Sequence, residues 1–139
     1  MTDGPCLLCE KHEGRGDLVG PVVHADDLVV VTLRMAGAAG YGFVETRRHV
    51  AELAALTDAE AAAVGLAVAR LARGLRAELR VTHVHTFVAG LGSARAHFHQ
   101  HVFVRHAGTP PGHPWWPEWP GAPAGDNATL ARRLTPYFR

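Results

Sequence analysis

Between residues 59 and 79, "AEAAAVGLAVARLARGLRAEL", apolar side chains recur three or four positions apart: Val64, Val68, Leu71, Leu75 and Leu79. That spacing predicts an amphipathic helix, and Thr57 followed by Glu60 predicts a capping box at its start. Elsewhere the period is two. "PVVHADDLVVVTL" (21–33) reads as two short strands around an Ala25-Asp26-Asp27 turn, and "YGFVET" (41–46) as a third strand leading into Arg47, Arg48 and His49. "VTHVHTFVA" (81–89) and "HFHQHVFVR" (97–105) are β-rich and separated by the glycine-containing "GLGSARA", which predicts neighbouring antiparallel strands. Residues 1–20 read as a loop-rich leader containing "CLLC", a short helix is expected at 50–55, and the proline- and tryptophan-rich stretch 107–125 should be extended and irregular. "DNATLARRL" predicts a closing helix capped by Asp126 or Asn127 and ending near Pro136. With neither an internal repeat nor a composition break, the expectation is one domain over 1–139.

Composition narrows the function classes. A net charge of +1 leaves no basic field to hold a polynucleotide, and every basic residue except Lys11 is Arg. No apolar run approaches the ~20 residues of a membrane helix, and the polar, acidic N-terminus lacks the pattern of a secretory signal. A cytoplasmic protein without membrane or polynucleotide partners is expected, and a structural disulfide is not.

The histidines carry more information than the charge does. On an extended strand His97, His99 and His101 fall on one face, with Phe98, Gln100 and Val102 on the other. Neutral imidazole is both a metal ligand and a nucleophile near neutral pH, so three in alternation point to chemistry; for the pair His83 and His85 a solvated face is the simpler reading. Cys6 and Cys9 have the two-residue gap that lets both thiolates reach one Zn²⁺, which then needs two further ligands. A redox pair and two reduced thiols are the competing readings, and His12 and His24 are rival ligands.

"HFHQHVFV" resembles the signature of the histidine triad (HIT) family: His, apolar, His, apolar, His, apolar, apolar. The resemblance spreads over most of the chain. "YGFVETRRHVAELAALTDAEAAAVGLAVARLARGL" is similar to the strand, basic-basic-His corner and central helix that precede the triad in that family, and "CLLC", "DDLVVV", "RHAGTP" and "EWPGAP" resemble one bacterial branch of it. The resemblance implies an α+β fold: an antiparallel sheet of about five strands with one long central helix and short flanking helices, commonly paired as a homodimer. It implies cleavage of a nucleoside phosphate, such as a dinucleoside polyphosphate or nucleoside phosphoramidate, at its α-phosphorus. His99 would be the nucleophile and His101 would assist the leaving group, while Gly92 and Ser93 would meet the phosphate oxygens with backbone N–H groups and Arg95 would add charge there. It also implies a structural Zn²⁺ held by Cys6, Cys9, His49 and His97.

Three features depart from the family pattern. Gln100 fills an apolar slot of the signature, which predicts hydrogen-bond partners for its amide. No carboxylate stands at Thr32, Leu33 or Arg34, where nucleoside-binding members hold the sugar hydroxyls, and Gly40-Tyr41 stands where a Gly-His pair is frequent. Two other readings compete: a metal-dependent enzyme with the triad itself as ligands, and a nucleotide-binding module without catalysis. The tryptophans Trp115, Trp116 and Trp119 are expected to cover the sheet or a dimer contact in preference to stacking on a base.

Overall fold

The computed structural model describes residues 6–81, 83–89 and 96–139. Three short strands open the sheet: β1 (Val22–Ala25), β2 (Val29–Leu33) and β3 (Gly42–Thr46). The first hairpin turns where Asp26 Oδ1 accepts from the backbone N–H of Leu28 at 2.8 Å and of Val29 at 2.9 Å. After a single 3-10 turn at Leu53–Ala55 comes the long helix α2 (Asp58–Leu79), then β4 (His83–Phe87) and β5 (His99–Arg105). All strand pairs are antiparallel, in the order β1-β2-β3-β5-β4. The chain closes with α3 (Asn127–Leu134), capped by Asp126, and runs on past Leu134 into a 3-10 turn, Thr135–Phe138, with Pro136 at its start. The fold is the expected α+β arrangement.

Helix α2 begins where the sequence says it should. The Thr57 hydroxyl accepts from Glu60 N at 3.1 Å, and the Glu60 carboxylate accepts from Thr57 N at 2.9 Å. Its apolar stripe, Val64, Ala67, Leu71 and Leu75, packs on Val31, Leu33, Val44, Val102 and Val104 of the sheet, joined by Leu130, Ala131 and Leu134 of α3. Gly40, at φ +80°, lets the chain turn into β3 beneath this helix; a Cβ there would stand 2.6 Å from Leu79 Cδ1.

The opposite face of the sheet is where chemistry collects. Period-two alternation puts Phe43 and Glu45 of β3 beside their register partners His101 and His99 of β5, and Phe87, His85 and His83 of β4 beside His101, Phe103 and Arg105. Gln100, on the other face, donates to Thr86 Oγ1 at 3.0 Å, and Thr86 donates onward to the His101 carbonyl at 2.7 Å, which supplies the partners its amide needs.

Two expectations change. The leader is not all loop: α1 (Leu7–His12) forms there, its N-terminus capped by the Cys6 sulfur, which accepts from Cys9 N at 3.4 Å. His97 does not share the strand face of its two companions, because β5 starts only at His99 and the chain at His97 is still irregular.

Candidate active site and metal centre

His97 turns away from the triad toward α1. Its Nδ1 lies 3.4 Å from Cys6 Sγ, 3.6 Å from Cys9 Sγ and 3.2 Å from His49 Nδ1, while Cys9 Sγ is 3.6 Å from His49 Nδ1. Zinc bonds of ~2.05 Å to nitrogen and ~2.3 Å to sulfur at tetrahedral angles put N–N edges near ~3.3 Å and N–S edges near ~3.5 Å, so the spacings match the edges of a Zn tetrahedron. The outer hydrogen bond agrees. His97 Nε2–H donates to the Thr46 carbonyl at 2.6 Å, which leaves Nδ1 as the lone-pair nitrogen facing the sulfurs. Burial pushes the Cys9 thiol up to about 11, with Cys6 beside it adding to the rise; a central cation reverses that balance. Cys6, Cys9, His49 and His97 thus form a Cys2His2 cluster whose spacing and donor set fit Zn²⁺.

The rival ligands are occupied elsewhere. His12 Nε2–H donates to Glu45 at 3.0 Å, and His24 pairs with Asp26 and stacks on Phe138. The corner carrying His49 is held to α2 by Arg48, which donates to both Glu60 oxygens at 2.9 and 2.7 Å. This fork, with the Thr57 backbone bond, keeps the Glu60 carboxyl at about 2.

Beside the metal centre lies a cleft of about 730 Å³. Leu7, Leu8 and Lys11 of α1 form one wall, Asp17 to Val19 and Leu33 to Ala36 another, and Phe43, Glu45, His97 and His99 the floor. His99 Nδ1–H donates to the His97 carbonyl at 2.8 Å, so Nε2 is the ring nitrogen left with a free lone pair. His101 is stacked on Phe87, ring centroids 4.2 Å apart, and its Nδ1 is 2.7 Å from the Tyr41 hydroxyl. Burial, with His99 and Arg34 adding positive charge, lowers His101 to about 4. Burial likewise pushes the Tyr41 hydroxyl up to about 12, so it keeps its proton and donates to His101, fixing the latter as the Nε2–H tautomer.

Glu45 is fully buried and accepts from Lys11 Nζ at 2.9 Å as well as from His12. Burial works to raise its carboxyl, yet His12 and Lys11 together hold it below its ordinary value. Arg34 lies on the Tyr41 ring, 3.6 Å from the centroid, and pairs with Glu118 at 2.5 Å.

The site residues expected from the sequence thus divide. His97 joins Cys6, Cys9 and His49, while His99 and His101 remain beside each other, ring centroids 5.1 Å apart. Gly92, Ser93 and Arg95 lie outside the described residues. Tyr41, Lys11, Glu45 and Asp17 belong to the site and went unpredicted. Only Tyr41 had a signal, as the residue standing where the family often has His. Trp115 and Trp116 cover the aromatic half of the sheet, Trp116 lying 4.9 Å from Phe87 and Trp115 stacked 6.3 Å from Phe103.

The fold and site define a class: an α+β protein with a five-stranded antiparallel sheet, a leader that shares a Cys2His2 zinc-binding cluster with the sheet, and two neighbouring histidines, one of which lines a cleft. The HIT domain model matches residues 18–108, and the chain belongs to that family. A Zn-bound histidine triad family protein from Mycobacterium smegmatis is similar in structure, with TM-score 0.70 and 19% identity over 95% of this chain and 91% of that one. A hypothetical histidine triad nucleotide-binding protein from Sulfolobus tokodaii superposes with TM-score 0.71 at 14% identity over the same shares, 95% and 91%. A HIT family member from Bacillus subtilis superposes with TM-score 0.62 at 23% identity over 76% of each chain. No curated protein matches the sequence.

Proposed function

We propose that the protein is a nucleotide hydrolase or nucleotidyl transferase that cleaves a nucleoside phosphate, a dinucleoside polyphosphate or nucleoside phosphoramidate, at the α-phosphorus through His99. The observation that supports this most directly is the tautomer of His99. Its Nδ1–H is committed to the His97 carbonyl and its Nε2 lone pair is free beside the cleft. In the first step Nε2 bonds to phosphorus as the bond to the leaving group breaks, and the leaving group takes the electron pair. His101, held as Nε2–H by Tyr41, donates a hydrogen bond to that departing atom. The product is a positively charged nucleotidyl-imidazole whose remaining N–H still faces a carbonyl, so the P–N bond is weak enough for water or another acceptor to break.

The same reading assigns the rest of the cleft. Leu7, Leu8, Leu18 and Leu33 offer apolar contact to a base. Asp17, whose carboxylate comes from the leader and not from the second strand, takes the sugar hydroxyls. The phosphate oxygens fall, in this reading, to Gly92, Ser93 and Arg95, which lie outside the described residues. Bound zinc cross-links the leader to the sheet and so sets the position of His99's support, the His97 carbonyl. A catalytic metal on the triad itself is less well supported: the one group of donors close enough to share an ion among the described residues takes His97 and leaves His99 and His101 out. The proposal extends to a homodimer, which sedimentation can check.

Intact-mass analysis after an alkaline quench tests the chemistry. A panel of nucleoside phosphates should give a nucleotidyl adduct on the wild-type protein and none on His99→Ala, with turnover lost in parallel. Saturable binding with neither adduct nor turnover would instead mark a nucleotide-binding module.

A further inference from the structure

A second cavity, about 540 Å³, opens at the far end of the sheet from the zinc site. Arg80, His83, Arg105, His106 and His113 line it, and among the described residues no carboxylate does. Neither Arg80 nor Arg105 takes part in any ion pair among the described residues. Two guanidinium groups therefore share one concave surface without a compensating anion. Arg105 is felt nearby: burial first, then His83 and Arg105, lower His85 below its ordinary value.

The cavity is built. His83 and Arg105 are register partners on β4 and β5, so their side chains leave the same face of the sheet. Arg105 Nη2 donates to the carbonyls of Pro110 at 2.9 Å and His113 at 3.0 Å, which locks the guanidinium and the following turn together. His113 is oriented by donating Nε2–H to the Pro117 carbonyl at 2.7 Å. Arg80 forms the other rim in a conformation that works against it. At φ 53° and ψ 39° it is the sole non-glycine residue with positive φ among the described residues, at the helix end where glycine is the unstrained choice.

From these observations we infer that the cavity is a binding site for a small phosphate anion, either free or carried as the tail of a phosphorylated metabolite. Guanidinium donors suit phosphate oxygens, and with no acid in the lining no fixed negative charge competes for them, the Pro110 and His113 carbonyls occupying one nitrogen of Arg105 alone. The strain at Arg80 is then the cost of presenting a charge where glycine would cap the helix more easily.

This makes an unusual pair of expectations for Arg80→Gly, because the change relieves strain and deletes the charge together. Calorimetry at low salt with inorganic diphosphate, in a His99→Ala background that disables the reaction cleft, should show binding weakened about tenfold by Arg80→Gly while the melting temperature rises. Arg80→Lys, which keeps charge and strain, should bind within about threefold of the parent. Inorganic phosphate and ADP form the other arms: Arg80-sensitive binding favouring ADP identifies a nucleotide tail, and equal binding of diphosphate and ADP identifies the anion alone. Diphosphate affinity unchanged by Arg80→Gly, or abolished by His99→Ala itself, would overturn the site.

Discussion

The two histidines that stay together differ in what holds them, and the difference is chemical. His99 spends one nitrogen on a carbonyl and keeps the other; His101 is packed between Phe87 and the Tyr41 hydroxyl and stays uncharged down to about pH 4. A histidine in the unfolded chain takes up a proton near pH 6.5, so between pH 6.5 and 4 the unfolded state binds a proton that folded His101 refuses. Its contribution to stability is complete above about pH 6.5 and fades as pH falls toward 4. Imidazole NMR should give His101 a midpoint near 4, and His101→Asn should flatten the fall in stability across that window; a midpoint near 6.5 would contradict the packing described. Tyr41 is a positioning residue in the same picture. Tyr41→Phe should lower kcat about tenfold with KM within twofold, the loss of one oriented hydrogen bond in the transition state, and ¹⁵N shifts should report His101 drifting from a single tautomer.

At the scale of elements, what the sequence made legible was what local rules decide. Thr57 and Glu60 announced the start of α2 because a capping box is a four-residue affair, and Val64, Leu71 and Leu75 announced its buried stripe. The start of β5 was misplaced by two residues because periodicity alone cannot see that His97 turns to Cys6, Cys9 and His49, outside the strand. Helix α1 was missed for a related reason: six residues are too few to form a helix on intrinsic preference, and this one is pinned by Cys6, Cys9 and the Lys11–Glu45 and His12–Glu45 pairs, partners distant in the chain. Asp17 and Glu45 could not be assigned to a cleft that only the docked leader creates. The two glycines within α2 show the same division between local and tertiary control. A Cβ at Gly65 meets nothing within 4 Å, so Gly65→Ala should raise stability by about 0.5–1 kcal/mol through helix preference alone. At Gly74 the Cβ would stand 2.7 Å from Leu134 Cδ2 and 3.1 Å from Tyr137, and the same exchange should cost about 1–2 kcal/mol net, overpacking outweighing preference. Urea denaturation of the two variants decides it, and equal shifts of the same sign would refute the helix crossing described.

For the whole molecule, the zinc centre and the cleft are mechanically one object. Cys6 caps α1 and Cys9 lies within it, while Leu7, Leu8 and Lys11 of the same helix wall the cleft, so the metal-ligating positions and the cleft wall alternate along six consecutive residues. The other two ligands come from the corner after β3 and from the residue whose carbonyl orients His99. Without the ion, Cys9 with its raised thiol, Cys6 and the Nδ1 atoms of two imidazoles converge on one point with no cation to join them, and a six-residue helix cannot survive by itself. The buried Lys11–Glu45–His12 contacts remain, but they join α1 only at its C-terminal turn. Removal of zinc by a chelator, or Cys6→Ser, should therefore lower the melting temperature and raise hydrogen exchange in α1 and at His97, while α2 and the β1–β2 hairpin keep their protection. Nucleotide affinity should fall in step with α1 exchange, because the wall is lost before the sheet is. If chelation leaves α1 exchange unchanged, the helix is held by the Glu45 contacts alone and the metal is not the element that joins leader to sheet.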